Sequence, residues 1–198
     1  MASTYTGLGV ELQATGENAG TWGTKTNTNL QILEQISGGF TQQALTSGGT
    51  VTLTASDGST GAVLAHRMIE FTGTISDNAV VTIPLDVQTF YILRNSSSGA
   101  YTVQFKYASG SGDSFTFTAT NKGDQIVFAS ANDGTNPDIV TVNTGITASS
   151  TDTLTNKTLT APKFADGGFI ADANGNESVV FGTTSSAVNE VKITNAAT

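Results

Sequence analysis

The chain has 198 residues, 37% hydrophobic and only 12% charged, with 34 Thr, 18 Ser, 14 Asn and 22 Gly. Eight basic against sixteen acidic side chains give a net charge of −8 with no Lys/Arg cluster, which argues against a nucleic-acid partner. The absence of Cys removes disulfides, thiol catalysis and Cys-ligated zinc, and a single histidine, His66, removes multi-His metal sites.

Uncharged polar residues take the surface role that Lys and Glu usually fill. Thr favours a pleated chain while Gly and Asn favour reversals, so the composition predicts a mainly β protein with many turns rather than a helical bundle. The first residues, Met1 to Tyr5, lack the positive and apolar regions of a signal peptide, and no apolar run approaches the ~20 residues of a membrane helix. The expectation is a soluble chain made in the cytoplasm, with no membrane insertion.

Residues 1–39 are read as an N-terminal arm and helix. Trp22-Gly23-Thr24 leads into a helix over 26–36, in which Leu30, Leu33 and Ile36 form a narrow apolar stripe. Gly38-Gly39 then supplies a left-handed stop. Thr and Asn make the first turns poor helix formers, so packing must hold the segment. Trp22, the only tryptophan, reads either as a staple onto this helix or as an anchor at an interface.

Residues 40–143 are read as an antiparallel β domain, a β-sandwich or small barrel. Val51/Leu53/Ala55, Tyr101/Val103/Phe105/Tyr107 and Phe115/Phe117 alternate with polar residues, as half-buried strands do. The denser runs Val80-Val81-Thr82-Ile83 and Phe90-Tyr91-Ile92-Leu93 are expected in central positions. Ile126-Val127-Phe128 and Ile139-Val140-Thr141-Val142 complete the set, with turn clusters between strands at 8–13-residue spacing.

Residues 144–198 change character. A polar linker, 147–152, precedes thin apolar pulses at Leu154, Leu159, Phe164, Phe169, Ile170, Val180, Phe181, Val191 and Ile193. So few apolar residues cannot build a monomeric core, but copies around a three-fold axis could bury them together. These nine residues are the expected trimer interface of a sparse-core fibre shaft.

The candidate chemistry is thin. His66 has no Ser and carboxylate at a recognisable triad spacing and reads as structural. Asp172-Ala173-Asn174-Gly175-Asn176-Glu177 opens like a calcium loop, but Glu177 stands at the glycine position and Thr183 at the bidentate Glu position, so a β-turn is the better account. Asp113, Asp124, Asp133 and Asp138 lie in or beside loops, where turn chemistry accounts for each; a glycosidase pair needs two facing carboxylates, and no spacing here brings two together. Ser109-Gly110-Ser111-Gly112 lacks the Lys of a phosphate loop and reads as a flexible hairpin tip. No catalytic residue, cofactor or metal site is assigned.

Two stretches are more distinctive. Residues 16–30, carrying Gly16-Glu17, Thr21-Trp22-Gly23 and Asn27-Thr28-Asn29-Leu30, are followed by Glu34-Gln35-Ile36-Ser37-Gly38. Together they resemble the N-terminal signature of a family of tailed-bacteriophage tail fibre proteins. Residues 152–162 resemble a recurrent phage-fibre linker, and residues 189–198 are similar to shaft repeats in phages of marine bacteria. The resemblance covers roughly the first 40 and last 55 residues.

It implies a non-enzymatic virion protein, a homotrimer whose N-terminal part attaches the fibre to a tail adaptor, nozzle or baseplate protein. Gly16, Glu17, Thr21, Trp22, Gly23, Asn27, Asn29 and Leu30 would be the attachment residues. It also implies a chain that continues past Thr198 toward a tip that binds a host-surface glycan. The alternatives are a head decoration or head fibre protein on the capsid, and a carbohydrate-binding module stacking sugar on Tyr91, Tyr101 or Tyr107.

Overall fold

The structure, a computed structural model, describes residues 2–120, 122–142, 169–171, 177–184 and 188–193. The chain divides into two compact units, Met1–Ala148 and Ser149–Thr198. The protein is mainly β, with a single α-helix among the described residues.

The first unit opens with the short antiparallel pair β1 (Thr4–Tyr5) and β2 (Glu11–Leu12), then helix α1 (Trp22–Gly38). The helix thus begins at Trp22, four residues earlier than expected. Its end also differs, because Gly39 is extended (φ −67°, ψ 144°) rather than left-handed and its N–H donates to the Gln35 carbonyl. Glycine is needed there for space: a Cβ on Gly39 would lie 2.8 Å from Gln35 backbone atoms and 2.9 Å from the His66 ring.

From here the chain alternates between two sheets. Strands β3 (Phe40–Ala44), β5 (Met68–Thr72) and β7 (Thr89–Asn95) enter one sheet. Strands β4 (Thr50–Thr52), β6 (Ala79–Ile83) and β8 (Val103–Tyr107) enter the other. Each strand is separated from the next in its own sheet by an excursion into the opposite one, so it returns in the same direction. The pairs β3–β5, β5–β7, β4–β6 and β6–β8 are therefore parallel, which corrects the antiparallel expectation.

Within these two sheets, antiparallel pairing involves only the last three strands. β9 (Phe115–Phe117) pairs antiparallel with β8, and β10 (Gly123–Ala129) and β11 (Ile139–Val142) extend the first sheet beyond β7. The orders are β11-β10-β7-β5-β3 and β4-β6-β8-β9, and neither sheet closes on itself. As expected, the dense apolar runs lie inside: β7 is the middle strand of five and β6 an inner strand of four.

One hydrophobic core lies between the sheets. Phe71 and Tyr91 from the five-stranded sheet meet Phe105 from the other, with ring centroids 6.3 and 5.7 Å apart, and Phe117 meets Phe71 edge-on at 6.4 Å. These are favourable tilted and edge-to-face contacts. Tyr91 is fully buried, its hydroxyl donating to the Leu64 carbonyl at 3.0 Å, and Tyr107 is buried with its hydroxyl donating to the Val87 carbonyl at 2.7 Å. Neither ring can stack on a sugar, and Tyr101 is itself half-buried against the core.

The loop at Ser109–Gly112 is not a free tip either. The Ser111 N–H donates to Asn136 Oδ1 at 2.8 Å, and a Cβ on Gly112 would sit 2.2 Å from the Pro137 carbonyl, so the loop packs on the segment before β11. Asp113 and Asp138 join the same junction, where the Asp113 N–H donates to the Asp138 carboxylate. Asp133 accepts from the N–H groups of Thr135 and Asn136 in its own turn. Of the four candidate aspartates only Asp133 shapes its own turn; the Asp138 carboxylate ties two distant segments together, and Asp124 lies in strand β10 paired with Arg94 instead of in a turn.

In the second unit, β12 (Phe169–Ala171), β13 (Glu177–Thr184) and β14 (Val188–Ile193) form an antiparallel sheet in that order. Phe169 pairs with Val180 and Phe181 with Val191, while Ile193 pairs with Val179 and Ile170 is exposed. Leu154, Leu159, Phe164 and residues 172–176 of the calcium-like loop lie outside the described residues.

Candidate interaction surface

The signature residues of the N-terminal segment divide into a set that locks the arm and a set that is displayed. The lock centres on Glu11, which is buried. Its backbone N–H donates to Asn29 Oδ1 at 2.9 Å, and Asn29 Nδ2 donates back to the Glu11 carbonyl at 2.9 Å. The Asn29 amide thus acts as a surrogate backbone, tying β2 to the helix as a neighbouring strand would.

The Glu11 carboxylate accepts from Asn18 Nδ2 at 2.8 Å and pairs with Lys25 Nζ at 3.2 Å. The Asn18 hydrogen bond first, and Lys25 next, hold its carboxyl below the ordinary value of 4.5, against a desolvation effect of opposite sign. Lys25 is raised reciprocally, chiefly by Glu11. Glu17 accepts from the Ser3 hydroxyl at 2.7 Å. Gly16 (φ +82°) and Asn18 (φ +62°) make the turn between arm and helix in the left-handed region. Thr21 caps the helix without a side-chain hydrogen bond to it; its hydroxyl donates instead to the Asn18 carbonyl.

Sequence reasoning did not single out Glu11, Asn18 or Lys25. The signal was a lone carboxylate between Val10 and Leu12, a buried charge that demands a partner.

The displayed set is apolar. Trp22 is 66% exposed and Leu30 58%, and Leu33 is exposed beside them. The expected stripe is therefore turned: Ile32, fully buried, is the residue that anchors the helix, and Ile36 is half-buried. Trp22 is too exposed to act as a staple. Leu33 and Ile36 line a cleft of about 300 Å³ with Leu8, Val10 and Val87. Gly23 has open space around its α-carbon, and Asn27 is exposed.

A second cleft of about 550 Å³ lies at the helix C-terminus, lined by Gln31, Glu34, Gln35, Phe40 and His66 among others. The His66 Nδ1–H donates to the Ala62 carbonyl at 2.8 Å, and the Ser37 hydroxyl at the cleft wall donates to the Glu34 carbonyl at 3.0 Å. The Ser37 hydroxyl is thus directed to the helix backbone and not to the His66 ring. No cluster of three or more metal-ligating side chains is found among the described residues, and no helix among them is long and apolar enough to cross a membrane.

The outer faces of the two sheets differ. On the four-stranded sheet, register places Thr50, Val80, Gln104 and Thr116 in one row and Thr52, Thr82 and Lys106 in the next. On the five-stranded sheet, Phe40, Met68, Ile92, Ile126 and Val142 form a row across all five strands, and Phe90, Phe128 and Val140 form a second. Arg67 lies over the Phe90 ring at 3.9 Å and donates to Thr89 and to the Phe90 carbonyl. Burial lowers the Arg67 guanidinium from its ordinary value.

A polar row borders the apolar ones. Gln42 and Ser96 donate to the Glu70 carboxylate, and Arg94 forms a two-pronged pair with Asp124 at 2.6 and 2.9 Å. Arg94 lowers the Asp124 carboxyl, and the Ser96 and Gln42 hydrogen bonds lower that of Glu70. Comparison with family models, curated proteins and solved structures finds no match to this chain.

Proposed function

We propose that the protein is a structural, non-enzymatic virion component, a homotrimeric phage tail fibre whose N-terminal segment docks the fibre on the tail. The observation that carries this reading is the signature stretch 16–30, with Trp22 and Leu30 exposed on a helix that Asn29 and Glu11 tie down. A large aromatic residue held outward on a fixed element is a suitable anchor for a protein partner. The two facing sheets are read as a β-sandwich that carries this segment, and residues 144–198 as the linker and start of the shaft.

The test is immunogold labelling of phage particles with antibody to this protein, beside incorporation of Trp22→Ala/Leu30→Ala protein. Label on the tail, lost or reduced at least about tenfold in the double variant, supports the reading. Label confined to the capsid replaces it with the head-fibre alternative, and unlabelled particles overturn both.

A further inference from the structure

We infer that copies of this chain meet through the outer face of the five-stranded sheet. The two sheets provide an internal contrast: the outer face of the smaller carries Thr50, Thr52, Gln104, Lys106 and Thr116 around Val80 and a buried Thr82, while the larger carries the two apolar rows. Phe40 is 52% exposed, Val140 48% and Phe90 46%. A Phe side chain presents roughly 150–250 Å², so the rows leave on the order of 400 Å² of contiguous apolar surface, the size at which a patch marks an interaction site.

Charge identifies the occupant. The chain carries −8, yet this face holds two basic groups, Arg67 and Arg94, against two acidic ones, Glu70 and Asp124. Arg94 and Asp124 neutralise each other, Glu70 is satisfied by Gln42 and Ser96, and Arg67 is held on Phe90. The two positive and two negative charges cancel, so another copy of a chain that carries −8 overall is not repelled at this face, and no excess of either sign is present to select a strongly charged foreign partner. A standard interface buries ~800 Å² per partner. The apolar rows would form its core and the Gln42–Asp124 row its rim.

This inference deepens the homotrimer reading and rests on it, and makes the outer sheet of the β unit the seam without which the copies part. The test is the mass of the full chain by light scattering, for the wild type and for Phe90→Ser/Phe128→Ser, with circular dichroism on both. The expected result is an oligomer of the 20.3 kDa chain that drops to 20.3 kDa in the variant with an unchanged spectrum. An oligomer of the same mass in both overturns the sheet seam and leaves the fibre reading standing, with assembly elsewhere. A monomeric wild type overturns both, and is also what a face covered by the chain's own later residues would give. If the double substitution unfolds the protein, Val140→Lys on the edge strand gives the same readout, since an exposed edge position tolerates a charge.

Discussion

Asn29 and Asn27 stand two positions apart in one signature and have different physical roles. Asn29 satisfies the N–H and the carbonyl of Glu11, both part-buried, whereas the Asn27 side chain is exposed. Asn29→Ala strands two polar groups and should cost about 1–3 kcal/mol, while Asn27→Ala should stay within about 0.5 kcal/mol. Urea midpoints of the two variants check this, and equal costs would refute the lock. Glu11 adds a pH dependence. Its carboxyl is held below 4.5 in the folded chain, so the stability it contributes is present above that value and is lost as pH falls through the lowered native value. The melting temperature should decline between about pH 5 and pH 3, less steeply in Glu11→Gln. Some slope should persist, because Glu70 and Asp124 are lowered as well.

At the scale of elements, two glycines make opposite predictions. Gly99 has φ +104° in the crossing from β7 to β8, and a Cβ there would lie 2.1 Å from the Ile75 carbonyl. Gly99→Ala should destabilise by at least about 1–3 kcal/mol, through strain and through displacement of the β5–β6 crossing. Gly23 lies in the first turn of α1, and a Cβ added there would meet nothing within 4 Å. Gly23→Ala should therefore stabilise the helix by about 0.5–1 kcal/mol. Thermal midpoints decide both. A stabilised Gly23→Ala protein would show that this signature glycine is not required by the fold.

At the scale of the molecule, the two sheets are joined by a largely aliphatic core in which aromatic rings meet across the gap. Phe105 touches both Phe71 and Tyr91 across the core and is fully buried. Phe105→Ala should cost about 3–5 kcal/mol, read as a lower urea midpoint. The exposed Phe90 should cost far less, and a comparable loss there in the monomeric state would contradict its placement on the outer face. The alternation of the chain between sheets makes most contacts non-local: Phe40 pairs with Met68, and Met68 with Ile92. Refolding should accordingly be slow for a chain of this size.

Composition and local pattern determined a good deal by themselves. Thr, Asn and Gly content implied a mainly β protein, Gly38-Gly39 marked the end of its helix to within a residue, and the dense runs at Val80 and Phe90 were placed in inner strands. These are local matters, set by propensity and by which side chains can leave water. The tertiary structure decided strand direction, because direction depends on where the chain travels between strands, and the parallel and antiparallel readings share one alternation pattern. It also decided which apolar residues are buried. Ile32 rather than Leu30 faces inward because the Glu11–Asn29 bonds set the rotation of the helix, and Tyr91 faces the core while Phe90 does not, because neighbouring residues of a strand point to opposite faces. A sequence records that both are apolar; only the packed sheets tell which one stays in contact with water.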